Sequence, residues 1–306
     1  MTTVLINRQE SHMAIMYDRV GVLAHPLRPQ TFPVAAQITE YLESQNIDNW
    51  IYTRWEESDV AERIQDCDLV IAIGGDGAML RAARVCAPKH VPVLGINMGQ
   101  LGFLTEIPGP DSWEKTVARV LAGEGWIEER MMIHATHMRG TQTIETGDAL
   151  NDIVISRGIV PRTIRLETYI DQDWATTYNA DALIIATATG STAYALACGG
   201  PILPPQLRNI LIVPVAPHLS MERPIVLSEG ATVEVVAAED NSSEIVLTVD
   251  GIEMGMVEPG DRIRVQASQH VSRFVRLRER HYFYRSLLDR LEPRVQSRHQ
   301  PDDKHL

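Results

Sequence analysis

The sequence is poor in lysine. Of its 28 basic residues only Lys89, Lys115 and Lys304 are lysine and the rest are arginine, so a cation facing a phosphate here is expected to be arginine or a metal ion. No GxxxxGK[ST] run occurs, which excludes phosphate handling by a P-loop lysine. Cysteine is as scarce: Cys67, Cys86 and Cys198 are far apart and odd in number. Without a CxxC pair or zinc-ligand spacing they read as packed thiols in a reducing compartment. HExxH, tandem repeats and heptad arrays are also lacking. The first 30 residues hold no signal-like apolar segment, because Glu10 and Asp18 interrupt it. One long uncharged stretch, 182–207, contains Gly190, Gly199, Gly200, Pro201, Pro204 and Pro205; it reads as a buried strand running into a glycine-rich site, not a membrane span. Positive charge is short overall, with 28 Lys and Arg against 40 Asp and Glu and a net charge of −12. That balance repels nucleic acid and anionic membrane at long range. Neither is an expected partner, and these features predict a cytoplasmic protein.

What is present is a chain of 306 residues, 44% hydrophobic and 22% charged, which fits about two globular domains on a prior of roughly 150 residues each. Short apolar runs at 19–25, 49–54, 68–73 and 91–96 alternate with helical patterns at 31–45, 58–65 and 78–86. Such alternation predicts an α/β domain with a mostly parallel sheet over 18–110. After a helix near 111–122 the rhythm changes. Runs at 131–137, 153–156, 165–170, 183–187, 210–215, 231–237, 244–249 and 262–266 read as strands, giving a β-rich domain over 111–275. The segment 276–292 carries a last amphipathic helix at 282–291, and 293–306 reads as a flexible tail.

Gly74, Gly75, Asp76 and Gly77 stand between an apolar strand and a helix expected from Ala78. Glycines there let a backbone approach phosphate and permit φ > 0, while the helix start offers unpaired N–H groups. Asp76 would accept a proton from, or position, an attacking hydroxyl, or bind Mg²⁺ attached to phosphate. The same residues also suit a plain tight turn in which Asp76 caps the helix. Arg81 and Arg84 follow on that helix and are expected to point away from its N-terminus.

A second glycine turn follows the run from Asp181 to Thr187. Thr189, Ser191 and Thr192 can donate to phosphate or ribose oxygens, and Gly190 leaves room for a ligand. Cys198-Gly199-Gly200-Pro201 supplies another turn. Asn151 and Asp152 pair an amide with a carboxylate, which suits ribose hydroxyls that both donate and accept. Each segment alone also fits an ordinary connection between strands.

Together these segments resemble the NAD kinase family. The matching runs are Gly74–Gly77, Asn97–Thr105 (NMGQLGFLT), Asn151-Asp152, Asp181, Thr189–Tyr194 (TGSTAY), Gly199–Pro201, Pro217-His218, Arg223-Pro224 and Asp250-Gly251, in the family's order over about 18–290. The resemblance implies an α/β N-terminal domain, a β-rich C-terminal domain with the active site between them, and a C-terminal helix returning to the first domain. It implies transfer of the ATP γ-phosphoryl group to the 2′-hydroxyl of the adenosine ribose of NAD⁺, with Mg²⁺ or another divalent cation, in a homodimer or homotetramer. Asp76 would then be catalytic, and Gly74, Gly75 and Gly77 phosphate-binding. Asn151, Asp152, Asp181, Thr189, Thr192, Ala193 and Tyr194 would bind NAD⁺. No metal ligand is identified. The chain departs from the family pattern at Ala78, where GGDGT is common, at Asp152, where glutamate is usual, and at Ala197, often serine. Kinases of this fold with another acceptor or a polyphosphate donor, and an idle NADP(H)-binding sensor, are the alternative readings.

Overall fold

The computed structural model describes residues 17–54, 57–99 and 102–291. The expected tail at 293–306 lies outside them. Strands β1 (Arg19–Ala24), β2 (Asp48–Tyr52), β3 (Leu69–Gly74) and β4 (Val93–Asn97) lie parallel in the order β2-β1-β3-β4. Helices α1 (Thr31–Ser44), α2 (Glu57–Arg63) and α3 (Asp76–Cys86) connect them. Every residue of β3 is buried, which is why it reads as an unbroken apolar run rather than an alternating one. Helix α4 (Trp113–Leu121) then leads into the β-rich part.

That part comprises β5 (Trp126–Arg139), β6 (Gln142–Ala149), β7 (Asp152–Arg157), β8 (Ile164–Ile170), β9 (Asp173–Ala180), β10 (Ala182–Thr187), the short helix α5 (Tyr194–Ala197), β11 (Asn209–Val215), β12 (Ile225–Ser228), β13 (Val233–Ala237), β14 (Ile245–Val249), β15 (Ile252–Val257) and β16 (Arg262–Arg276), followed by helix α6 (Tyr282–Leu291). An antiparallel sheet, β12-β11-β10-β7-β14-β15, faces β5, β6, β16, β13, β8 and β9 across a core that includes Ile133, Ile153, Leu183, Ile185, Val235 and Ile263. Along β10, Leu183 and Ile185 enter this core while Ile184 and Ala186 pack with Ala195 of α5.

Strand β16 joins the two parts. Its first half pairs with β13 and β5; after an irregularity between Ala267 and Val271 its second half continues along β5 and meets β4 at Phe274↔Val93. One ten-stranded sheet thus runs through both parts of the molecule. Helix α6 has the bounds the sequence predicts, and the chain entering it reaches the first domain: Arg276 donates to the Leu104 carbonyl at 2.8 Å.

Candidate active site

Strand β3 delivers Gly74 to the carboxyl edge of the parallel strands, where α/β proteins place ligands. Helix α3 begins two residues earlier than expected, at Asp76, with Gly75 as its N-cap at φ −96°. None of Gly74, Gly75 and Gly77 has positive φ, so their conformational freedom is not the reason for glycine. At Gly74 the reason is closeness, since a Cβ there would lie 2.5 Å from that of Ala78. At Gly75 and Gly77 a Cβ would meet no protein atom within 4 Å, leaving the helix N-terminus open to an anion.

Asp76 does not cap α3 through its side chain. Its carboxylate reaches across to the loop after β4 and accepts the Phe103 N–H at 2.8 Å and the Leu104 N–H at 3.0 Å. The NMGQLGFLT run has a physical reading from this. Buried Asn97 donates to the carbonyls of Gly99 (2.6 Å) and Pro108 (3.3 Å), closing the loop on itself. Gly102 is required because any Cβ there would overlap the Asp76 carboxylate.

Positive charge stands nearby that sequence reasoning missed. His25, just after β1, packs against Gly74, and its Nδ1 accepts the Leu27 N–H at 3.1 Å. Burial, Arg28 and Arg81 together hold His25 below the usual imidazole range. The charge of Arg81 is thus felt at His25, and an Arg28 guanidinium nitrogen comes within 3.8 Å of a Cβ built on Gly99. The His-Pro-Leu-Arg turn after the first strand was the available signal.

In the second domain, Asn151 and Asp152 are pinned by Asp250. Its carboxylate accepts the N–H groups of Leu150 (2.9 Å), Asn151 (2.7 Å) and Asp152 (3.2 Å), and its own N–H returns to the Asp152 carbonyl at 2.9 Å. Burial raises the Asp250 carboxyl, opposed by these amides and by Arg84 of α3, so the glycine–aspartate helix faces this turn. Burial and the Asp250 charge push Asp152 up to about 7. The glycine–threonine turn interlocks with it: a Cβ at Gly190 would overlap the Asn151 carbonyl. Thr187 Oγ1 donates to the Leu150 carbonyl at 2.5 Å and accepts the Gly190 N–H at 3.1 Å.

The expected ligand-facing residues divide. Tyr194 is exposed as a residue; partial desolvation of its hydroxyl, with the nearby Cys198, Asp181 and Asp152, raises its phenol. Asp181 pairs with Arg157 at 3.0 Å and stays partly open, as do Asn151, Thr192 and Ala193. Thr189 is buried, and its Oγ1 accepts from Arg130 at 3.3 Å. Ser191 is likewise turned inward, bonded to Ala188 and Leu203. Among the described residues no group of three or more His, Cys, Asp and Glu side chains is arranged to hold a metal ion. A cavity of about 490 Å³ lined by Lys89, His90 and Arg273 lies at the amino ends of β3 and β4 and includes none of these residues.

Comparison with known proteins agrees with this arrangement. The ATP-NAD kinase N-terminal domain family matches residues 20–125 and the ATP-NAD kinase C-terminal domain family matches 150–277. An NAD kinase of Chloroflexus aurantiacus is 40% identical over 276 residues, covering 90% of this chain and 99% of its own. One from Dehalococcoides mccartyi is 36% identical, covering 90% and 97%. In fold the chain is similar to yeast NADH kinase complexed with NADH (TM-score 0.78, 23% identity, 92% and 90% covered). It is also similar to an Archaeoglobus fulgidus NAD kinase in complex with ATP (0.70, 23%, 89% and 97%). With both domain families matched in order and close relatives covered almost end to end, the chain belongs to the ATP-NAD kinase family.

Proposed function

We propose that the family's reaction, transfer of the γ-phosphoryl group of ATP to the 2′-hydroxyl of the adenosine ribose of NAD⁺, runs between the N-terminus of α3 and the Asn151–Asp152 turn. The observation that carries this reading is the setting of Asp76: a carboxylate fixed by two backbone N–H groups at the mouth of a helix whose glycines are open. Each oxygen keeps a lone pair beyond those bonds. Asp76 takes the proton as the ribose oxygen bonds to the γ-phosphorus, and the bond to the bridging oxygen of ADP breaks. The N–H groups of α3, with Arg28 and Arg81 beside them, oppose the charge of the donor phosphates. Mg²⁺ enters as part of the Mg·ATP substrate, in keeping with its preference for phosphate oxygens and few carboxylates.

On the acceptor side, Asn151 and Asp152 hold ribose hydroxyls, and Asp181, Thr192, Ala193 and Tyr194 line the adenosine. Thr189, buried under this surface, shapes it from behind. With domains at 18–110 and 111–275, the donor's contacts would fall chiefly on the first and the acceptor's chiefly on the second, with 276–292 returning to the first. No helix among the described residues is long and apolar enough to cross a membrane, and the assignment includes a cytoplasmic homodimer or homotetramer. Light scattering at assay concentration tests that assembly, and a monomeric mass would overturn it. Incubation with NAD⁺, Mg²⁺ and either ATP or polyphosphate should yield NADP⁺ with ATP, matched by ADP. A chain that forms no NADP⁺ from any donor would refute the reading.

A further inference from the structure

A buried chain of ionic hydrogen bonds connects the two halves of the site. Arg276, at the end of β16, has no exposed surface; its Nε donates to Glu128 Oε2 at 2.9 Å and its Nη1 to the Leu104 carbonyl at 2.8 Å. The N–H of the same Leu104 is one of the two that hold Asp76. Glu128 Oε2 also accepts from Arg130 at 2.9 Å, and the other end of the Arg130 guanidinium donates to Thr189. The Tyr282 hydroxyl, at the start of α6, accepts from Arg130 at 2.7 Å and donates to Glu128 at 3.1 Å. Burial alone would raise the Glu128 carboxyl, but Arg130 and Arg276 hold it below the usual carboxylate range, so it stays an ionised acceptor for both.

Burying such a set is costly unless its geometry is well met, and apolar residues could fill the same volume. The path Asp76–Leu104–Arg276–Glu128–Arg130–Thr189 has a definite consequence for geometry. It sets the loop that aims the proposed base relative to the turn that underlies the acceptor pocket, and α6 locks the joint through one hydroxyl.

We infer that Arg276, Glu128 and Tyr282 are positioning residues for phosphoryl transfer: they touch neither substrate, and they hold the Asp76 carboxylate in register with the bound ribose. The inference rests on the assignment of Asp76 as the base. A misplaced reacting group costs up to about 10²-fold in rate while leaving binding surfaces intact.

The test is a double-mutant cycle in the full chain. Arg276→Lys keeps the charge but cannot reach Glu128 and the Leu104 carbonyl together. It should lower kcat by about 10-fold or more and leave KM for NAD⁺ and ATP within about twofold. Made in an Asp76→Asn background, the same change should cost almost nothing further, because the group it positions has lost its function. An equal loss in both backgrounds, or a loss confined to KM, overturns the proposal. Tyr282→Phe, which removes only the hydroxyl and keeps the buried ring, gives a gentler second arm. It should lower kcat with both KM values held, again only when Asp76 is present; wild-type kcat would overturn the inference even if Arg276→Lys fails to fold. Asp76→Asn alone reports separately on the base, so the two failures are told apart.

Discussion

Asp76→Asn separates chemistry from support. Asparagine keeps one acceptor for the loop but turns an NH₂ toward the other backbone N–H, so stability should fall by about 1–3 kcal/mol. Turnover should fall by roughly 10²-fold or more, the usual reach of a positioned base, while NAD⁺ affinity stays near that of the unmodified chain. Steady-state kinetics, NAD⁺ titration and urea unfolding on one preparation check all three. Asp152 makes a different prediction, about pH. Its folded value of about 7 lies above the unfolded value of about 3.9, so between these the folded chain holds a proton that the unfolded chain has released. Stability from this group is full below about pH 4 and is lost as pH rises through 7, by no more than about 4 kcal/mol. Asp152→Asn removes that slope. Unfolding free energies of the two chains should therefore diverge, with the unmodified chain falling relative to the variant between about pH 4 and 7. Parallel curves would show that Asp152 is ionised in the fold.

The glycines of the two turns do opposite jobs, and substitution should reveal it. Gly77 lies in the first turn of α3 with open space around it, so Gly77→Ala should raise stability by up to about 1 kcal/mol yet depress turnover by crowding the phosphates. Gly190→Ala forces a methyl into the Asn151 carbonyl and should destabilise by about 1–3 kcal/mol, with loss of NAD⁺ binding. Thermal melts and initial rates of both variants decide the matter. These turns are legible in the sequence because buried strands such as β3 and β10 are uninterrupted apolar runs that end in glycine. Strands β6, β9, β12 and β15 are not: β6 is mostly exposed and polar, and β15 is broken by Gly255 at φ +133°. The true lengths of β5 and β16 are hidden for another reason. Glu106, Glu128, Arg130 and Arg276 look like surface residues, and only the assembled fold shows that the two carboxylates and two guanidiniums meet inside it. Nor could spacing show that the Asp76 carboxylate is held by a loop 27 residues away.

Strand β16 makes the molecule a single mechanical body. Its 15 residues pair with β5 along nearly their whole length and with β13 and β4 at opposite ends. Neither domain can unfold without stripping partners from the other. Peptides covering β3 and β10 should lose hydrogen-exchange protection at the same urea concentration, in one transition. Two separate transitions would show that the shared sheet carries little coupling. The arrangement also bears on how such a gene can be cut. A product stopped after β4 would expose a bare strand edge of unpaired N–H and C=O groups beside an apolar face, a template for clumping with its neighbours. The complementary piece would keep β16 paired with β5 and β13 but leave the edge of its second half, where Phe274 meets Val93, uncovered. Neither piece would be expected to survive expression alone. Fission or shuffling of this gene would have to leave its last strand with its first four.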